Sequence, residues 1–132
     1  MPGKTNTKVQ TIVRINKNSA RPLLILQGAW LAESGFHTDT LVLAEFAEGR
    51  IALAPKGQGT DIYLKLAPSA RKGKKSLFQV GGKRNHFKDF PILYISGNQM
   101  IEAGFMIGDV VAARYAKDAI TVIKIDLDFA WE

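Results

Sequence analysis

Residues 22–53, PLLILQGAWLAESGFHTDTLVLAEFAEGRIAL, and residues 91–122, PILYISGNQMIEAGFMIGDVVAARYAKDAITV, are two copies of one pattern. They align without a gap at an offset of 69, and 10 of 32 positions are identical. The identities are Pro22/Pro91, Leu24/Leu93, Gly28/Gly97, Glu33/Glu102, Gly35/Gly104, Phe36/Phe105, Val42/Val111, Ala44/Ala113, Ala47/Ala116 and Ile51/Ile120. A fainter echo runs upstream at the same offset, through Gln10/Gln79, Arg14/Lys83 and Asn16/Asn85. A repeat of this length marks a supersecondary unit that cannot bury its apolar face alone.

Each copy divides in the same way. Leu23–Leu26 and Ile92–Ile95 follow a proline and read as short strands. Gly28 and Gly97 break them. Ala29–Ser34 and Asn98–Ala103 have room for little more than one helical turn. Gly35 and Gly104 suit the left-handed position that ends a helix, and the Phe that follows suits the apolar contact back to Leu31 or Met100. Thr40–Phe46 returns as Arg50–Ala54, and Asp109–Tyr115 as Ala119–Ile125, each pair forming a tight hairpin. Thr11–Ile15, Asp61–Leu66 and Ser76–Val80 are further strand candidates. A polar basic loop is expected over Pro68–Lys75. The expectation is a single domain, 1–132, of mainly β class, a barrel or sandwich with two short helices. Repeat one covers about 8–54, a basic linker 55–76, and repeat two about 77–125.

The chain has 132 residues, 46% of them hydrophobic, and no cysteine, so disulfides and thiol chemistry are excluded. No apolar run approaches the roughly 18 residues of a membrane span, and no apolar stretch of secretory type follows the charged start. A cytoplasmic protein without a membrane partner is expected. The net charge of +6 is unevenly spread. Residues 1–21 hold five Lys and Arg and no acid, and residues 54–90 hold nine against two acids. Both repeats are mildly acidic. Basic segments leading into structured units favour a polyanion. The candidate phosphate contacts are Arg71, Lys72, Lys74, Lys75, Lys83, Arg84 and Lys88, with Arg14, Lys17 and Arg21 as a second patch. Phe78, His86 and Phe87 lie among these cations and suit stacking on unpaired bases.

Catalytic signals are faint. His37 and His86 have no metal-ligand spacing, and no cofactor or metal is expected. His37 becomes Met106 in the second copy. Glu33 and Glu102 recur, as solvated residues of a last helical turn. Asp126-Leu127-Asp128 resembles an acidic pair on an exposed strand. Gly81-Gly82-Lys83-Arg84 lacks the spacing of a nucleotide-binding loop and reads as a loop touching phosphate.

The run Leu24, Leu26, Gly28, Trp30, Leu31, Ser34, Gly35, Phe36, followed by Gly49, Arg50, Ile51 and Leu53, resembles the SymE toxin family. The second copy keeps Gly97, Met100, Ala103, Gly104, Phe105, Gly108, Asp109, Ile120 and Val122. Its Gly-Asp-Val-Val is similar to the Gly-Asp-x-Val of AbrB-type swapped-hairpin barrels. The resemblance implies a barrel of two interlocked strand–helix–hairpin units, here supplied by one chain as a pseudo-dimer. Such a chain is a monomer, or a homodimer through its edge strands. The resemblance also implies binding of RNA or DNA within a toxin–antitoxin type system. Two alternatives stand beside it: an RNA endonuclease toxin with unknown catalytic residues, and a protein-interaction module that binds no nucleic acid.

Overall fold

The computed structural model describes residues 6–18, 20–70, 74–84 and 89–125. Among these residues ten strands and three helices follow one another. They are β1 (Asn6–Thr11), β2 (Val13–Arg14), β3 (Pro22–Gln27), α1 (Ala29–Glu33), β4 (Leu41–Ala47), β5 (Arg50–Gly57) and α2 (Thr60–Ala70). Then come β6 (Lys75–Gln79), β7 (Gly81–Arg84), β8 (Asp89–Ser96), α3 (Asn98–Glu102), β9 (Val110–Ala116) and β10 (Ala119–Lys124). The protein is mainly β with short helices, as the alternation in the sequence predicts. No helix among the described residues is long and apolar enough to cross a membrane.

All strand pairs are antiparallel. One sheet has six strands in the order β1-β9-β10-β5-β4-β6, the other four in the order β2-β3-β8-β7. The expected closed barrel does not form: the two sheets remain separate. The ladders break at Ile12 and Val80, where the chain leaves one sheet for the other. Each of these residues is buried and bonds instead to the segment before a hairpin. Ile12 N–H donates to the Asp109 carbonyl at 2.9 Å, and its own carbonyl accepts from Gly108 N–H at 2.8 Å. Val80 N–H donates to the Thr40 carbonyl at 2.9 Å, and its carbonyl accepts from Asp39 N–H at 2.7 Å. Such corners let one strand serve two packed sheets.

The registers relate the two copies closely. In the β3–β8 ladder Ile25 faces Tyr94, and in the β5–β10 ladder Ala52 faces Thr121. Each pair joins the same position of the two repeats. The strand leading into each copy pairs with the hairpin of the other: β1 with β9, and β6 with β4. Further bonds tie the copies crosswise. Asp118 N–H donates to the Ser34 carbonyl at 2.9 Å, and Gly49 N–H to the Ala103 carbonyl at 2.7 Å. Residues from both copies and both sheets, among them Leu24, Phe36, Ile51, Leu93, Phe105 and Ile120, share one core.

The helix stops are as expected. Gly35 and Gly104 have φ of 92° and 90°. Phe36 N–H reaches the Leu31 carbonyl at 2.8 Å and Gly35 N–H the Ala32 carbonyl at 3.0 Å. The second copy repeats both bonds from Phe105 to Met100 and from Gly104 to Ile101. Where the copies exchange glycine for aspartate, at Asp39/Gly108 and Gly49/Asp118, all four residues have positive φ. Aspartate is among the few side chains that tolerate this backbone, so the exchange preserves the turn.

Two further expectations are corrected. Asp61–Leu66 is the start of helix α2, not a strand. The alternation of Ile62, Leu64 and Leu66 suggested one strand face, yet Leu64 is 63% exposed while Ile62 and Leu66 are half-buried. Ile62 and Leu66 stand one helical turn apart, and Asp61 in the first turn suits a helix N-terminus. Pro68 therefore lies within the last turn of a helix, not in a loop. The upstream echo is also misaligned by one residue. Ile12 and Val80 occupy equivalent corners, an offset of 68, so Gln10/Gln79 and Arg14/Lys83 are not equivalent pairs. Asn85 lies outside the described residues.

Candidate nucleic-acid interface

The predicted cations divide between the two sheets. Arg14 sits in β2, in register with Pro22, and is exposed. Lys17 is exposed in the turn that follows, where Asn18 N–H donates to Asn16 Oδ1 at 2.9 Å. Ile15 N–H donates to the Arg21 carbonyl at 3.3 Å and closes that turn, which sets exposed Arg14 and Arg21 on its two arms. Lys83 and Arg84 belong to β7, in register with Phe90 and Asp89. β2 and β7 are the outer strands of the four-stranded sheet. With strands about 4.8 Å apart, roughly 14 Å separates them. The Gly81-Gly82-Lys83-Arg84 stretch is thus a strand, not a loop.

Lys74 and Lys75 lie elsewhere, at the start of β6 on an edge of the six-stranded sheet. The Lys74 carbonyl accepts from Phe46 N–H at 2.7 Å, and the Lys75 carbonyl from Gln99 Nε2 at 2.9 Å. Lys75 is in register with Glu45, whose exposed carboxylate lowers the positive potential there. Arg71, Lys72 and Lys88 lie outside the described residues, as do His86 and Phe87. Phe78, the remaining stacking candidate, is packed against the core.

Two aromatics are half exposed among the described residues, Tyr63 in α2 and Tyr94 in β8, and of these Tyr94 stands on the four-stranded sheet. Along β3 the even positions Pro22, Leu24 and Leu26 are buried and the odd ones more exposed. Leu23 and Ile25 therefore look outward, and Tyr94 stands opposite Ile25 on the same side. Sequence reading passed over Tyr94 because an apolar strand absorbs a tyrosine without comment. The available signal was its phase: it alternates with Leu93 and Ile95, which are both fully buried.

The weaker catalytic candidates stay apart from one another. Glu33 and Glu102 close α1 and α3 with exposed side chains, and His37 is exposed beyond the Phe36 stop. Among the described residues no three His, Asp or Glu side chains gather as a metal site. Asp126 and Asp128 lie outside the described residues. A groove beside Gly49, Gly104, Asp109 and Lys124 is polar, but its groups bond to one another. Lys124 Nζ lies 3.3 Å from Asp109 Oδ2 and donates to the Gly104 carbonyl at 3.1 Å, and Asp109 Oδ2 also accepts from Met106 N–H at 2.7 Å.

Compared with protein-family models, curated proteins and solved structures, the chain finds no significant match.

Proposed function

We propose that this is a nucleic-acid-binding protein of the SymE-like kind, an internally duplicated AbrB-type swapped-hairpin fold working in a toxin–antitoxin type system in the cytoplasm. The exchange of leading strands, β1 onto β9 and β6 onto β4, supports the swapped-hairpin reading. The two copies act as a pseudo-dimer, so the chain needs no second copy to complete its core.

The observation that carries the binding reading is the pairing of β2 and β7 as outer strands of one sheet. Part of the basic segment preceding each repeat, with Arg14 in β2 and Lys83 and Arg84 in β7, thereby belongs to one layer. Lys and Arg there hold phosphates and set affinity without selecting bases. The test is a titration with RNA and DNA across a salt series, followed over time for cleavage. Binding that falls linearly in log K with log salt supports the reading. Binding to neither polymer at low salt sinks it, and RNA scission would turn the protein from a binder into a nuclease.

A further inference from the structure

We infer that the outer face of the four-stranded sheet is a platform for single-stranded nucleic acid, with Tyr94 as the base-stacking residue. The inference rests on the nucleic-acid reading above and adds to it a site and a class of ligand. Four strands build the face, and its middle row is the Ile25–Tyr94 pair. Val13, Ile15 and Tyr94 are 40%, 41% and 50% exposed, and Leu23, Ile25 and Phe90 are half-buried around them. A sheet normally presents polar residues on its solvent side. This one presents an apolar surface with one accessible aromatic ring.

Charge selects the occupant. β2 and β3 carry no acidic residue, exposed Arg21 accepts at its carbonyl from Ile15 N–H beside the apolar area, and exposed Lys17 lies in the turn between them. On the far side Lys83 is the register partner of Phe90. A second copy laid face to face would bring its own Lys17 and Arg21 to strands β2 and β3 that carry no acid to receive them, which opposes self-association. A single strand of nucleic acid meets the face on both counts. Its phosphates are complementary to these cations, and its bases each offer a flat π-face to Tyr94. A duplex keeps its bases stacked inside and reaches only the cations.

The experiment measures fluorescence anisotropy of the full chain with labelled oligouridine, oligothymidine and a mixed-sequence duplex. Tyr94→Ala and Tyr94→Leu are compared with Tyr94→Phe, and a thermal melt of each variant reports folding. The expected result is a loss of about 5- to 150-fold in single-strand affinity for both non-aromatic variants. Tyr94→Phe keeps the wild-type affinity. Duplex affinity and the salt slope stay the same in all three, because no phosphate contact is removed. If the protein binds nucleic acid with a steep salt slope and folded Tyr94→Leu binds single strands as well as wild type, the platform is wrong and the binding reading stands. If wild type binds no nucleic acid at low salt, both fall. Sedimentation showing a dimer that Tyr94→Leu dissociates would assign the face to a second copy and overturn the platform.

Discussion

A Cβ built on Gly35 would lie 2.5 Å from Asp118 Oδ1, the side chain at the hairpin turn of the other repeat. The equivalent glycine, Gly104, has nothing within 4 Å of such a Cβ, because Gly49 stands where Asp118 does. Both glycines have positive φ, so both lose about 1–2 kcal/mol on substitution by alanine. Gly35→Ala must also displace a carboxylate. The expectation is a larger fall in the urea midpoint for Gly35→Ala than for Gly104→Ala. Asp118→Gly, which copies the first repeat's own turn, should remove the excess, and the double-mutant cycle measures it. Equal losses at the two glycines would break the link between helix stop and hairpin.

Position 30 and its counterpart 99 hold their surroundings by different means. Trp30 is buried, its ring centroid 4.7 Å from that of Tyr115, and its Nε1 donates to the Gln27 carbonyl at 2.8 Å. Gln99 instead accepts from Ser76 Oγ at 2.8 Å and donates to the Lys75 carbonyl at 2.9 Å, which ties α3 to edge strand β6. Trp30→Ala should cost about 3–5 kcal/mol through lost packing. Gln99→Ala should cost about 1–3 kcal/mol by leaving two partly buried partners unpaired. Denaturant unfolding at constant slope checks both, and a Gln99 variant as damaging as Trp30→Ala would contradict the contrast.

The repeat made the strand–helix–hairpin units legible because it kept the residues that backbone geometry demands. Gly35 and Gly104 stop helices, and the Gly/Asp exchanges fall on turns that accept either residue. The upstream segments were harder to align. Gln10 and Gln79 match by identity on a surface that constrains little, whereas Ile12 and Val80 match by burial at a corner and differ in type. Helix α2 was hidden because Ile62, Leu64 and Leu66 together satisfy a strand period, whereas only Ile62 and Leu66 share a helical face. The separation into two sheets depends on where the chain turns at Ile12 and Val80, and a local pattern does not encode that. The cations were visible as charge, but their division between the two sheets follows from topology.

The crosswise strand exchange makes each half dependent on the other. Cutting the chain between α2 and β6 removes from β4 its partner β6, and from β9 its partner β1. Neither half should fold as a monomer. Ile25 faces Tyr94 and Ala52 faces Thr121 at equivalent positions, so each half can in principle meet a second copy of itself along the same ladders. Isolated halves should therefore be unfolded or dimeric, and mixing them should restore the spectrum of the intact chain. Circular dichroism with analytical ultracentrifugation decides the matter. A folded, monomeric half would show that the interlock contributes nothing to the fold.

The last prediction sets the two basic patches against each other. The linker cluster Arg71, Lys72, Lys74 and Lys75 is the denser in sequence. The Glu45 carboxylate in register with Lys75 argues for a smaller share of the affinity than that density suggests. Arg14, Lys17 and Arg21 lead into a sheet whose strands β2 and β3 carry no acid. Each phosphate contact contributes roughly 0.7–0.9 to the slope of log K against log salt. Changing Arg14, Lys17 and Arg21 to Gln should lower the slope by about two to three units and weaken binding to all sequences alike. Changing all four linker cations to Gln should lower it by less for each cation removed. Both sets are exposed or lie in a polar stretch, so thermal melts should stay close to wild type. A linker variant that loses the greater part of the slope, with the triple variant unchanged, would move the phosphate contacts to the edge of the six-stranded sheet. It would leave the cations beside the four-stranded sheet without a role in binding.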